Sequence, residues 1–219
     1  MLNFYFGVIS PALDFFGDGS VNNVINNLNS KKAIMEKLMI GKTLPSPAPT
    51  VIVGALVNDR ENYLTIGGYG GMSINPPLLY ITLNKAHYTN AGIKENSCFS
   101  VNLPSAGLVQ KTDYVGLVSG RDTDKSGVFT PFYGRVNRAP MIKECPVNIL
   151  CKVYNVIDLP NNDVFIGEVL ETYVDGDCMA GKVLNPKKIN PLILMGGSYW
   201  ELGNVAGAAF KEGRALIKK

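Results

Sequence analysis

One histidine, one tryptophan and no closely spaced pair of cysteines narrow the chemistry open to this 219-residue chain before any motif is sought. The cysteines, Cys98, Cys145, Cys151 and Cys178, form no C-x-x-C pair. With His87 as the single histidine, no zinc site of the usual spacing can be written. Charge is scarce too. Only 18% of residues are charged, the formal net charge is +3, and the 21 basic residues are spread along the chain, which argues against a nucleic-acid partner. No apolar run is long enough to span a bilayer, so no membrane partner is expected. Scattered cysteines without a secretory signal read as reduced thiols in a cytoplasmic protein. What is present is ordinary for a globular domain: 46% apolar residues, in a chain long enough for one full-sized core.

The N-terminal stretch lacks Lys and Arg before Lys31, so it has no basic region of a signal peptide, and Pro11 and Asp14 interrupt its apolar run. Residues 1–34 are expected to lie outside the folded domain, as an N-terminal tail, with residues 35–219 forming the domain. Met35 or Met39 would begin a more ordinary chain.

From Pro49 onward the pattern is one of short strands and turns. Pro49–Val57 is a β-branched apolar run after a proline-rich entry, and Asn58–Asn62 is a polar turn. Tyr63–Gly71, Leu78–Asn84 and Ser97–Pro104 read as further strands, and Val147–Val174 as a long hairpin around "LPNND". Helices are few and short. Residues 89–96 form one, with Thr89 as N-cap; Ser105 and Thr112 cap two more that end near Gly120; a last helix covers about Val205 to Ile217. The spacing suggests a mainly β barrel rather than a doubly wound sheet.

The stretch "TIGGYGGMSINPPLLYITLNKAHYTNAGIKEN" is the most informative. Four glycines fall within five residues. No Lys-Ser or Lys-Thr follows at P-loop spacing, and the third glycine of a dinucleotide fingerprint is replaced by Ser73. Pro76 and Pro77 forbid a helix interior there. Gly67, Gly68, Gly70 and Gly71 therefore mark either a bulge or bare backbone against which a flat polar ring can lie. Beyond the next strand, Lys85, His87 and Thr89 alternate in "NKAHYTN", so an extended chain puts them on one side. A lysine, a hydroxyl and helix N–H groups at one point describe an anion site. Taken singly, Lys85 is a solvated lysine and His87 a capping or surface histidine; the combination is harder to set aside.

These segments, with "PAPTVIVGAL", "FSVNLPS", "TDYVGLVSGRDTDKS", "APMIKECPVNILC", "FIGEVLE" and "YWELG", occur in one order over the last four-fifths of the chain. In that order the chain resembles the flavoredoxin and flavin reductase-like family of FMN-binding split barrels. The resemblance implies a mainly β split barrel of six strands, a homodimer, and one FMN per subunit near the interface. It implies that Thr65, Ile66, Gly67, Tyr69, Gly70, Gly71, Met72 and Ser73 line the isoalloxazine and ribityl chain, largely through backbone. Asn84, Lys85, His87 and Thr89 would hold the phosphate.

Two departures limit what carries over. Members that use NADH often have Gly-Asp-His on a late strand where this chain has Gly167-Glu168-Val169, and valine cannot hydrogen-bond a nicotinamide. The flavoredoxin branch often has a cysteine where Val115 stands. NADH or NADPH is therefore a weaker expectation than FMN. The flavin supplies the redox chemistry, so no side chain is named as catalytic. Three functions compete: an FMN-dependent oxidoreductase, a non-enzymatic FMN electron carrier serving a redox partner protein, and a ligand-binding barrel without redox activity. Among other residues, Trp200 reads as a core plug or a flavin neighbour, Arg121 and Lys125 as solvated loop charges more readily than as contacts to a dinucleotide phosphate, and Cys145 and Cys151 as buried apolar residues rather than a redox pair.

Overall fold

The structure, a computed structural model, describes residues 37–217. The chain divides into two compact units, Leu2–Pro45 and, Met1 apart, Ser46–Lys219. Residues 37–45 carry no helix or strand. The expected tail, residues 1–34, lies outside the described residues.

Ser46–Lys219 is organised by one antiparallel sheet of seven strands: β1 (Val51–Val57), β2 (Arg60–Ile66), β3 (Tyr69–Ile74), β4 (Pro77–Asn84), β5 (Cys98–Leu103), β6 (Val147–Asp158) and β7 (Asn162–Val174). Their order is β2-β1-β5-β6-β7-β4-β3. The two edge strands, β2 and β3, are consecutive in sequence and joined by Gly67 and Gly68 alone. A sheet whose edges are tied by two residues has to curl until those edges meet at one corner. No ladder joins β2 to β3, so the barrel is split there. At that corner, a side chain on Gly68 would come 2.9 Å from Cβ of Thr82 on β4, which is why the chain turns on glycine.

Here the structure differs from the strand expected over Tyr63–Gly71. Glycine at the seam breaks it into β2 and β3, and that break supplies the seventh strand where six were implied. The interior of the curl is filled by Val51, Val53, Leu64, Ile81, Phe99 and Phe165 among others. Each such side chain contributes roughly 1.5–3 kcal/mol of burial. The seven residues of β1 are all buried, because the other face of β1 and β2 carries a second cluster of Ile52, Tyr63, Val115, Phe129, Ile142 and Cys145. Cys145 and Cys151 thus sit in different clusters, and burial pushes both thiols up.

Two α-helices of eight or nine residues occur among the described residues: α1 (Thr89–Asn96), which packs on β1, and α2 (Val109–Leu117), which covers the free edge of β2. Ser105 stands at the N-cap of a 3-10 turn, Ala106–Leu108, that runs straight into α2. Thr112 is therefore a buried mid-helix residue rather than a cap, and the helix ends at Leu117 rather than near Gly120. The expected C-terminal helix shrinks to a 3-10 turn, Glu212–Leu216. Every residue from 201 to 217 is exposed, so no packed face offsets the cost of glycines 207 and 213 in a helix.

Candidate functional site

The seam and the end of β4 meet. Thr82 N donates to Gly68 O, continuing the β3–β4 ladder past Tyr69, which pairs with Ile81. Thr65 to Tyr69 and Asn84 to Thr89 are thereby brought to one end of the sheet. Gly70 and Gly71 lead away along β3, and Met72 and Ser73 lie at a bulge roughly 10–13 Å beyond Tyr69. Along this stretch, what faces out is mostly backbone. The Ile66 side chain is buried in the interior, Tyr69 packs half-buried against the same cluster, and the Thr65 hydroxyl donates to Thr112 O on α2. A side chain on Gly71 would meet nothing within 4 Å, whereas one on Gly70 would come 2.7 Å from the Tyr80 ring.

The turn after β4 is arranged differently from the sequence expectation. Asn84 uses its side-chain oxygen to accept from Ala86 N, and the Lys85 ammonium is paired with the Asp158 carboxylate on β6. That pairing holds the Asp158 carboxyl below its usual range. The N-cap of α1 is Tyr88, already helical in its backbone, and Thr89 is the first helical residue. The Thr89 hydroxyl is buried and accepts from Asn62 Nδ2 at 2.8 Å. Two opening N–H groups of the helix, those of Asn90 and Ala91, donate to the carbonyls of His87 and Tyr88. They are spent inside the turn instead of standing free. Two buried side-chain atoms in this segment have no hydrogen-bond partner, His87 Nδ1 and Asn90 Oδ1. Burial, and then the positive charge of Lys125, hold the His87 pKa below the ordinary value, so the imidazole is neutral near pH 7.

Lys125 was read from the sequence as a solvated loop charge, and the structure reverses this. It is 3% exposed. Its Nζ donates to Tyr63 O on β2 at 2.9 Å and to Val115 O in the last turn of α2 at 2.8 Å. The ammonium thus ties a helix C-terminus, where a cation is favoured, to the edge strand beneath it. Among the described residues no carboxylate is paired with it, and burial pulls its pKa down to about 8. The loop that delivers it can approach because position 120 is glycine; a side chain there would come 2.2 Å from Asn62 Oδ1. Asn62, Tyr88, Arg121 and Lys125 help to wall a cleft of about 490 Å³ beside this end of the sheet, and the glycines of β3 are not part of it.

The fold is shared with known proteins. The family described as flavin reductase like domain matches residues 44–203. The chain belongs to the flavin reductase-like family. Flavoredoxin from Methanosarcina acetivorans is 43% identical, with a TM-score of 0.81, over 83% of this chain and 100% of that one. Flavoredoxin of Desulfovibrio vulgaris (Miyazaki F) is 31% identical, with a TM-score of 0.76, over 82% and 100%. An uncharacterized protein of Archaeoglobus fulgidus is 28% identical over 114 residues, which span 51% of this chain and 64% of that relative, a little under two thirds of its length.

Within this flavin reductase-like fold the two departures have simple settings. Val169 packs against the interior cluster, and Val115, on the inner face of α2, is buried in one cluster with Tyr63. Neither position presents a polar group. Trp200 does not plug the core: it is 59% exposed, with its indole N–H donating to Met195 O. Arg121 is exposed at the cleft.

Proposed function

We propose that this chain is an FMN-binding oxidoreductase of the flavoredoxin type that works as a homodimer. The observation that carries the reading is Lys125, a buried ammonium held by two carbonyls with no ion-paired carboxylate among the described residues, near enough to His87 for its charge to lower the histidine's pKa. A buried charge is costly unless an opposite charge meets it, and the phosphate of FMN supplies one. The family likeness supports FMN as the group. Bound FMN would supply hydride or electron transfer.

The chain's own part is to bind and orient. Lys125 and a neutral His87 donate toward the phosphate. The backbone groups at Gly67, Gly68, Gly70 and Gly71 that the strand ladders leave unpaired carry no side chain of their own to shield them. The free face at Gly71 leaves room for a ring. Val169 offers no hydrogen bond to a nicotinamide, so an electron donor other than NADH or NADPH is the reading for the reductive step, with a redox protein as the partner. Exposed Tyr154, Val156, Ile157 and Leu159 at the far end of the β6–β7 hairpin, with Met72 and Ile74 on β3, are the surface we assign to a second copy. Buried, unpaired thiols support a reducing compartment such as the cytoplasm, and no described helix is long and apolar enough to cross a membrane.

The deciding experiment is anaerobic titration of the FMN-loaded protein with NADH and with NADPH, read by flavin absorbance. A yellow protein that neither nucleotide bleaches, but that a protein donor does, is the expected result. Bleaching by a nucleotide makes the chain a pyridine-nucleotide reductase. A protein that stays colourless with added FMN removes the flavin reading.

A further inference from the structure

Lys125 has three ammonium hydrogens, and the carbonyls of Tyr63 and Val115 take two. Its charged neighbours are engaged elsewhere. On β2, Glu61 accepts from Tyr133 and Arg60 is paired with Asp124. On α2, Asp113 accepts from Tyr199 and Lys111 lies over the Phe129 ring. Arg121 and Asp122 stand exposed in its own loop, and His87, in the turn before α1, lies close enough to feel its charge. Among the described residues no carboxylate is ion-paired with Lys125.

We propose that flavin binding is coupled to the proton on Lys125: the chain takes up a phosphate dianion and that proton together, and loses its preference for phosphorylated flavin once the proton leaves. The inference rests on the reading that the phosphate end of FMN lies at Lys125. In the free chain, burial sets the Lys125 pKa at about 8. A dianion within hydrogen-bond reach raises it, because an opposite charge favours the protonated amine. Above the free value, binding must therefore also protonate Lys125, and apparent affinity falls about tenfold per pH unit. A phosphate monoester is mainly a dianion above about pH 6. Riboflavin has no phosphate and leaves Lys125 unchanged.

The test is titration of the full chain with FMN and with riboflavin from pH 6 to pH 10 at constant ionic strength, followed by quenching of flavin fluorescence. The ratio of the two affinities cancels ionisation of the ring and any loss of folded protein. It is expected to hold steady from about pH 6.5 to 8 and then to fall about tenfold per unit. A ratio that stays flat to pH 10 overturns the proton coupling and leaves the flavin reading standing. Failure to bind either flavin overturns both. In a second arm, Lys125→Arg keeps a cation that does not titrate in this range. Its ratio should stay flat to pH 10; a decline like that of the wild type places the proton on another group and overturns the proposal.

Discussion

The turn after β4 and the loop after α2 each bring a lysine to the same end of the sheet, but into different surroundings. Lys85 stands at the surface, its side chain 39% exposed and paired with Asp158, itself 80% exposed. Lys125 is 3% exposed and is held by two carbonyls. Water screens the first pair, so exchanging Asp158 for another anion gains little. The second charge has given up its water without gaining an opposite charge, so an arriving anion gains most of a Coulomb interaction. On the proposed reading, desolvation rather than proximity to a motif in the chain singles out the cation that meets the phosphate.

The largest effect should come from removing the buried charge. Lys125→Met is expected to weaken FMN roughly 10- to 100-fold, the range of a hydrogen bond to a charged group, while changing riboflavin affinity far less. Isothermal titration with both flavins checks this, and equal losses would show that Lys125 only supports the fold. The same variant should reveal the cost of burying the charge. The Lys125 pKa is lowered from 10.5 to about 8. Between those values the unfolded chain binds the extra proton, so the Lys125 contribution is least favourable below about pH 8 and improves as pH rises toward 10.5. The relief amounts to at most roughly 3 kcal/mol. Urea unfolding of flavin-free wild type and Lys125→Met at pH 7.5 and pH 9.5 should show the difference between them shifting in favour of the wild type at the higher pH.

An intermediate effect is expected on the glycine strand. Gly71→Val meets open space in the protein, so the fold should persist with an unchanged melting temperature while flavin binding drops about tenfold or more. Gly70→Val drives a branched side chain into the Tyr80 ring and should lower the melting temperature whether or not flavin is present. Normal flavin affinity in Gly71→Val would move the ring off this face.

The smallest effect belongs to Lys85. Lys85→Ala should change FMN affinity less than about threefold, since an exposed ion pair is all it removes. A loss as large as that of Lys125→Met, measured in the same titration, would erase the contrast between the two lysines.

Much of the fold is legible along the chain. The hairpin expected over Val147–Val174 around "LPNND" is present as β6 and β7, and β5 falls within Ser97–Pro104, because alternation and turn residues act over a few neighbours. The helix over residues 89–96 is present for the same reason, though its cap is Tyr88. The break at Gly67–Gly68 was not legible. The glycines announced bare backbone, but that they form the seam between two sheet edges depends on a strand order spanning more than a hundred residues. Asn62 was hidden as well, read as a turn residue although it is buried and bonded to Thr89.

The sequence by itself determined the Val147–Val174 hairpin, the strand within Ser97–Pro104, the helix over residues 89–96, the family and the run of glycines, since each rests on residue types and local spacing. The tertiary structure alone decided which lysine is stripped of water. A lysine in "SGRDTDKS" is buried only because α2 covers the edge of β2, Gly120 lets the loop close in, and two carbonyls distant in the chain converge on one ammonium. Desolvation is a property of everything that surrounds a group, and the elements around Lys125 come from parts of the chain that no local pattern connects.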